Sequence, residues 1–259
     1  MDKTQLLSRA ASPEERMLLA RVLDKYEQMD RRNIPTATPF LTQAEQTAVQ
    51  ALLNAAGIRS GYIWNGGYPQ AERKLLQFLP DWCETEDGVL TALRARCRGD
   101  EEPTHRDFLG SLMALGLTRE KFGDLLVTPG QCDLIAAADA APFLLQNWDS
   151  AGRARLQVEE IPLDALEIPV QQVKEIRDTV ASLRLDAVAA SGFSMSRTRA
   201  AELISAGRVQ VNHLDCCKGD RLVAEGDVIT ARGLGKCLVA QVGGQSKKGR
   251  TMLVLHRYL

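Results

Sequence analysis

Apolar residues near the start of the chain recur every three or four positions, which is the spacing of one buried helix face. This pattern predicts helices over residues 4–33 and 40–56. A short strand at 62–64 and a helix at 70–79 follow, separated by a Gly-Gly turn. We therefore expect residues 1–85 to form a small α/β domain.

Strand and helix patterns alternate in the next part of the chain. The predicted elements are a strand at 89–97, a helix at 104–115, strands at 124–128 and 133–137, a helix at 140–148 and a strand at 154–161. This β-α-β-β-α-β order is that of a ferredoxin-like domain, in which two helices cover one face of an antiparallel sheet. We assign residues 86–168 to this domain, and interpret residues 162–181 as a linker with some helix or strand.

The RNA recognition motif has the same topology, so its binding surface has to be considered. That motif stacks bases on aromatic residues of its third strand. The corresponding segment here, residues 132–137, reads Cys-Asp-Leu-Ile-Ala-Ala and contains no aromatic residue. Because topology alone is weak evidence for function, we expect a scaffold or protein-contact domain rather than a base-stacking one.

A third pattern occupies the C-terminal part of the chain. It predicts helices over 185–190 and 197–206, and strands at 209–211, 228–232 and 253–255. Ser196 precedes the second helix and is suited to cap it, and Gly207 is suited to end it. We expect two short helices packed on a small twisted sheet, so the whole chain is predicted to be α+β in three parts.

Charge is distributed unevenly along the chain. The 259 residues contain 32 Lys and Arg against 33 Asp and Glu, a formal net charge of −1. Residues 182–259 carry 12 basic against 6 acidic residues, or +6, and the remaining 20 basic against 27 acidic residues give −7. A local basic excess of this kind is typical of a module that binds nucleic acid or another acidic surface.

Several classes of protein and site are disfavoured by the sequence. It contains no apolar run of membrane-spanning length and no secretory signal pattern, so we expect a cytoplasmic protein, which we also expect to be monomeric. The six cysteines form no C-x-x-C pair and are predicted to be reduced thiols. His213, Cys216 and Cys217 lack a fourth ligand at zinc-finger spacing. We predict neither a metal nor a cofactor.

Two arginines, Arg197 and Arg199, lie in the first turn of the second C-terminal helix. The helix macrodipole disfavours cations there, whereas backbone N–H groups and guanidinium groups together can bind a phosphate. Arg184, Arg208, Lys218 and Arg232 are expected to add to the same patch if the sheet folds against the helices. The alternative is a solvated basic face.

The motif in this segment resembles a known RNA-binding module. It reads R-L-D, S-R-x-x-A-x-x-L-I-x-x-G-x-V-x-V-N, a Lys six residues on, G-D-x-I and R-G-x-G, over roughly residues 182–240. These spacings resemble the S-four domain of small-subunit ribosomal protein four, which implies an αL RNA-binding domain at 182–259. The resemblance implies that the RNA-facing residues are Ser196, Arg197, Arg199, Asn212 and Lys218. His213 and Cys216 depart from the pattern, which often has glycine and an apolar residue there.

Upstream motifs narrow the resemblance further. The segments GGYPQAER (66–73), THRDFLGSLMALGL (104–117) and GDLLV (123–127) are similar to those of the YlmH family, including its photosystem II S-four branch in cyanobacteria and plastids. The resemblance implies a non-enzymatic protein that binds structured ribosomal or transfer RNA. Bacterial relatives are tied to the large ribosomal subunit in quality control, and others to cell division or photosystem function.

Three alternatives remain open from the sequence. Arg184-Leu185-Asp186 resembles the segment around the catalytic aspartate of pseudouridine synthases, although a helix N-terminal acid explains Asp186 equally well. A protein-binding adaptor remains possible for residues 1–160. Arg73, His105 and Arg106 are candidates for a second contact surface for RNA or protein.

Overall fold

The computed structural model describes residues 3–85, 87–170, 172–246 and 249–258. The chain divides into two compact units, residues 1–169 and residues 170–259. Helices and antiparallel sheets occur in both units, which confirms the predicted α+β class. In the described part of the chain, none of the helices is both long and apolar enough to cross a membrane.

The first unit begins with helices around a small antiparallel sheet. Its elements are α1 (Lys3–Leu7), α2 (Pro13–Arg32), β1 (Thr36–Ala37), α3 (Gln43–Ala55), β2 (Tyr62–Asn65) and β3 (Leu75–Phe78), with strand order β1-β3-β2. Ser12 and Thr42 cap α2 and α3, each accepting a hydrogen bond from a backbone N–H in the first turn.

The predicted helix at 70–79 is wrong, because β3 occupies most of its second half. All four residues of β3 are buried, and the strand lies in the centre of the sheet between β1 and β2. A short apolar run that is buried on both faces has no periodicity that separates a strand from a helix.

The second part of this unit has the predicted ferredoxin-like topology. Its elements are β4 (Leu90–Arg98), α4 (His105–Ala114), β5 (Phe122–Thr128), β6 (Gln131–Ala137), α5 (Ala141–Asn147), β7 (Ser150–Ala151) and β8 (Ala154–Ile161). The antiparallel sheet has the order β5-β6-β4-β8-β7, in which the two-residue edge strand β7 is the only element that the pattern did not predict. Both helices pack on one face, around Leu93, Phe108 and Leu134.

The opposite face of this sheet is partly covered by the N-terminal part of the unit. Leu126 and Ile135 project from it into a cluster with Phe40, Leu75 and Leu90. A Cβ atom added at Gly123 would lie 2.7 Å from a ring carbon of Phe40, so glycine is required for this close approach. The face on which an RNA recognition motif stacks bases is therefore used here for packing within the unit.

A buried ion pair closes the same face. Arg94 donates to both carboxylate oxygens of Asp133, at 2.7 Å from Nε and 2.6 Å from Nη2, and Asp133 is fully buried. The backbone N–H of Glu167 donates to Asp133 at 2.8 Å, and Arg94 donates to the carbonyl of Ala165 at 2.8 Å. These bonds hold the segment after β8 against the sheet.

The second unit is a six-stranded antiparallel sheet with two helices on one face. Its elements are β9 (Val173–Val180), α6 (Leu185–Gly192), α7 (Arg197–Ser205), β10 (Val209–Val211), β11 (Leu214–Asp215), β12 (Val228–Ala231), β13 (Gly235–Gln245) and β14 (Thr251–Tyr258), with order β11-β10-β12-β13-β14-β9. Val188 and Ile204 of the helices share a core with Ile229, Val239 and Leu255 of the sheet.

Three strands of this unit were not predicted, namely β9, the two-residue strand β11 and β13. Residues 173–180, expected to lie in a linker, form the edge strand β9, which pairs with β14 from Val180↔Thr251 to Val173↔Tyr258. Most of its side chains are exposed and four of them are charged, so its composition is that of a linker. Strand β13 was missed because its pairing with β14 contains register shifts and its sequence contains Gly243 and Gly244. Strand β9 lies in the second compact unit, residues 170–259, together with the segment at 182–259.

We expect Asp133→Ala to lower the free energy of unfolding of the first unit by about 3–5 kcal/mol, because the Arg94 guanidinium loses its buried partner and keeps only the exposed carboxylate of Glu167, 3.2 Å from Nη1. Chemical denaturation monitored by tryptophan fluorescence measures this change. Asp139→Ala removes an exposed partner of Lys121 and is the control, with an expected cost of about 0–1 kcal/mol. Equal costs for the two variants would contradict the role of the buried pair.

We expect a fragment of residues 170–259 to fold and to melt cooperatively. A fragment of residues 182–259 lacks β9 and exposes the edge of β14, so it should melt at a lower temperature. Thermal unfolding followed by far-UV circular dichroism compares the two. Equal melting temperatures would show that β9 is not part of the folded unit.

Candidate nucleic-acid interface

The start of helix α7 is set by a side-chain cap. Ser196 has an extended backbone, and its hydroxyl oxygen accepts a hydrogen bond of 3.2 Å from the backbone N–H of Arg199. Helix α7 therefore begins at Arg197, as predicted, and its first turn contains Arg197, Thr198 and Arg199. The two cations lie where backbone N–H groups point out of the helix, which is favourable for an anionic ligand.

A carboxylate joins the two helices at this point. Asp186, in the first turn of α6, accepts hydrogen bonds from Arg197 Nη2 at 2.9 and 3.0 Å. It also accepts from Arg184 Nε at 3.2 Å and Arg184 Nη2 at 2.9 Å. The Asp186 side chain is 10% exposed, against 41% for Arg184 and 58% for Arg197. The group thus presents two partly exposed cations above one nearly buried anion.

The protonation of Asp186 follows from these contacts. Burial raises the pKa of its carboxyl group, but the hydrogen bonds and charges of Arg184 and Arg197 outweigh burial, so the pKa lies below its ordinary value. The backbone N–H of Asp186 also donates to the carbonyl of Gly219 at 3.0 Å. This bond brings the loop that contains Lys218 next to the start of α6. Lys218 itself is exposed.

Three further predicted arginines lie at the surface of the second unit. Arg199 forms an exposed pair with Glu202, at 2.9 Å and one helical turn away. Arg208 precedes β10 and Arg232 follows β12, and the register Val209↔Ala231 places them beside each other. Arg208 Nη2 lies 3.4 Å from the carbonyl oxygen of Arg232. The structure thus brings these last two arginines together.

Asn212 has a structural role in the hairpin between β10 and β11. Its side-chain amide donates to Asp227 at 2.7 Å, and its side-chain oxygen accepts from the N–H of Val228 at 2.9 Å. Asn212 and His213 both have positive φ, 52° and 66°, as required for the two central residues of a tight hairpin turn. Position 213 therefore keeps the conformation that glycine favours, although it is histidine here.

The three residues of the predicted second surface have different environments in the structure. Arg73 donates to three carbonyl oxygens, of Arg119 at 2.8 Å, Phe40 at 3.2 Å and Phe122 at 3.3 Å, so it joins the two parts of the first unit. Partial burial and the nearby Arg119 lower the pKa of His105, so its imidazole adds little positive charge at neutral pH. Arg106 is exposed. The contacts of Arg73 thus give it a role in packing within the first unit.

Asp186 is the residue whose role the sequence did not establish. Its position in the sequence indicates a helix N-terminal acid or a catalytic residue, whereas its contacts show that it orients two arginines. The signal in the sequence is an arginine two positions before it and another eleven positions after it. Within the described residues, no group of three or more His, Cys, Asp and Glu side chains could hold a metal ion.

Three family models match separate parts of the chain. The model described as "YlmH, N-terminal" matches residues 14–81, "Putative RNA-binding domain in YlmH" matches residues 101–165, and "S4 domain" matches residues 183–229. The last match contains Asp186 and both arginines that bind it. The second match covers most of the ferredoxin-like part, whose sheet face is partly taken up by packing.

A relative and a solved structure extend these matches. The chain is 37% identical over 223 residues to "Ribosome-associated protein quality control protein P2" of Bacillus subtilis (strain 168), covering 85% of this chain and 86% of that protein. The structure titled "Cell division protein ylmH from Streptococcus pneumoniae" matches with a TM-score of 0.51 and 22% identity, covering 61% of this chain and 96% of that one. At that identity the second likeness supports the fold alone.

We expect Asp186→Asn to destabilise the second unit and to remove part of its acid sensitivity. The lowered pKa means that ionised Asp186 stabilises the fold above about pH 4, the range of an unfolded aspartate, and that this stabilisation is lost as the pH falls through the lower folded value. Urea unfolding of residues 170–259 at several pH values measures it. Asp220→Asn, at an exposed position, is the control, and an identical pH dependence of wild type and Asp186→Asn would contradict the assignment.

Proposed function

This chain belongs to the YlmH family, and from this membership we propose that it binds structured RNA of the ribosome through its second unit. The family assignment rests on the relative that is 37% identical over most of both chains, together with the three matching family models. We propose that the interface comprises Arg184, Ser196, Arg197, Arg199, Arg208, Lys218 and Arg232, with Asn212 holding the adjoining hairpin.

The observation that carries this proposal is the arrangement of Arg184 and Arg197 on Asp186 at the start of α7. A guanidinium group held by a carboxylate is oriented before a ligand arrives, so less conformational entropy is lost on binding. Phosphate oxygens are the acceptors that fit such groups beside a helix N-terminus. Contacts to phosphate recognise the backbone of RNA and its shape, which suits a structured RNA.

We propose a binding role rather than an enzymatic one. A catalytic aspartate has to reach the reacting atoms of its substrate, whereas both oxygens of Asp186 accept hydrogen bonds from two arginines. These contacts favour a positioning role over the pseudouridine synthase alternative. The first unit, in which the sheet face is partly covered, is better suited to contacts with protein.

The finer assignment follows the relative from Bacillus subtilis, which is named for ribosome-associated protein quality control. We propose the same class of partner here, namely the large ribosomal subunit together with tRNA, in preference to a photosystem or cell-division role. On this proposal the protein acts in the cytoplasm and binds as a monomer.

We expect the double variant Arg197→Ala and Arg199→Ala to bind ribosomal RNA several-fold more weakly at moderate salt. The slope of the logarithm of its affinity against the logarithm of the salt concentration should also be shallower, by about one to two units, because fewer counterions are released. A filter-binding assay at several salt concentrations measures both quantities.

The matched control is the double variant Arg153→Ala and Arg155→Ala. It removes two exposed arginines with the same spacing from the first unit and changes the net charge equally. If both double variants weaken binding equally, the loss is due to overall charge and not to the proposed interface. If the Arg197 and Arg199 double variant binds as tightly as the wild type, the proposed interface is contradicted.

A further inference from the structure

A groove of about 490 Å³ lies beside Arg197 in the second unit. It is bounded by the end of β9, by α6, by the turn that leads into α7 and by the residue before β14. Its volume is within the range of sites that hold small organic groups, about 300–1,000 Å³. The contacts described so far for Arg197 concern only the side of this residue that faces Asp186.

The floor of the groove is apolar. Val180, Ala187 and Ala190 line it and are all less than 10% exposed, and Met195 lies beside them. Small side chains on the floor leave room above them for a flat group. A surface of this kind suits the face of a nucleobase, which is apolar and planar.

One wall of the groove carries a fixed hydrogen-bond acceptor. The Asp178 carboxylate accepts from the Ser191 hydroxyl at 2.6 Å and from the backbone N–H of Thr179 at 2.7 Å, one bond to each oxygen. A carboxylate has about four acceptor positions, so each oxygen of Asp178 retains capacity for another donor. Its negative charge disfavours an inorganic anion at this wall and favours a group with N–H donors.

Two guanidinium groups also line the groove. Arg197 is held by Asp186 at 2.9 Å, and Arg250 donates from Nε to the hydroxyl of Thr179 at 3.0 Å and from Nη2 to the Thr179 carbonyl. The groove therefore combines an apolar floor, an acceptor wall and two cations. This combination matches the apolar face, the N–H edge and the phosphates of one nucleotide.

We propose that the groove binds a single unpaired nucleotide of the RNA, with its base on the apolar floor, its N–H edge at Asp178 and its phosphates at Arg197 and Arg250. The inference rests on the proposed function, since it concerns the same RNA. Guanine is the preferred base, because its N1–H and N2–H donors are adjacent and meet the two oxygens of Asp178. The pocket selects a bulged or extruded guanosine within an otherwise structured RNA.

The experiment compares the full-length protein on one RNA hairpin with a fully paired stem and on the same hairpin with a single bulged G, A, C or U. We expect the bulged-G hairpin to bind about tenfold more tightly than the paired one, the size of effect that stacking of one base produces. Asp178→Asn replaces an acceptor oxygen by a donor group and should remove the preference for G over the other bulges. Equal affinity of the wild-type protein for all five RNAs would overturn the proposal.

A filling variant tests the groove separately from the phosphate site. Ala181 is exposed and lines the groove, so Ala181→Trp should abolish the bulge preference and keep the affinity for the paired hairpin. Ala224→Trp, at an exposed position outside the groove, is the control and should keep the preference. If Ala181→Trp keeps the preference for the bulged hairpin, the groove is not the binding site and the proposal is overturned.

A measurement on the wild-type protein keeps the test independent of variant folding. The fluorescence of 2-aminopurine at the bulge should change on binding and should remain unchanged when the same base lies within the paired stem. Equal responses at both positions would contradict the proposal. If only the groove proposal is wrong, the Arg197 and Arg199 double variant still loses affinity for RNA. If the proposed function is wrong, that double variant shows no loss of affinity either.

Discussion

The hydrogen bonds from Arg184 and Arg197 to Asp186 are the interaction on which the candidate interface depends. Without the carboxylate, two guanidinium groups would repel each other, and each long side chain would sample many rotamers. With it, the start of α6 is joined to the start of α7, and both cations are held in place. Removing the negative charge of Asp186 would raise the net positive charge of the surface, but the two guanidinium groups would lose their fixed orientation. Orientation, and not charge alone, therefore determines what the surface can bind.

The topology of the first unit does not by itself determine what the unit binds. Its sheet has the strand order of an RNA recognition motif, but Leu126 and Ile135 on the open face pack against the N-terminal part, and the Arg94–Asp133 pair fixes a further segment there. The absence of aromatic residues from residues 132–137 predicted that bases would not stack on this strand. Packing against the neighbouring elements gives a second physical reason for the same expectation.

Local signals predicted local structure well. Ser196 caps a helix at the predicted position, because an N-cap depends on residues only three positions apart. Strand β9 was missed because a long-range partner, β14, stabilises it while its own exposed charges resemble those of a linker. In the candidate interface, the spacing predicted the basic residues but not the contacts of Asp186, which arise only when two helices pack.

The antiparallel pairing of β9 with β14 places the first and last strands of the second unit side by side. Val173, near the start of the unit, lies opposite Tyr258, near its end. A unit whose two ends meet at one edge of its sheet can be joined to another chain at either end, or inserted into a loop, without rearranging its strands. The same register means that tension between the two ends would separate the strands one residue pair at a time, rather than shear all the pairs together.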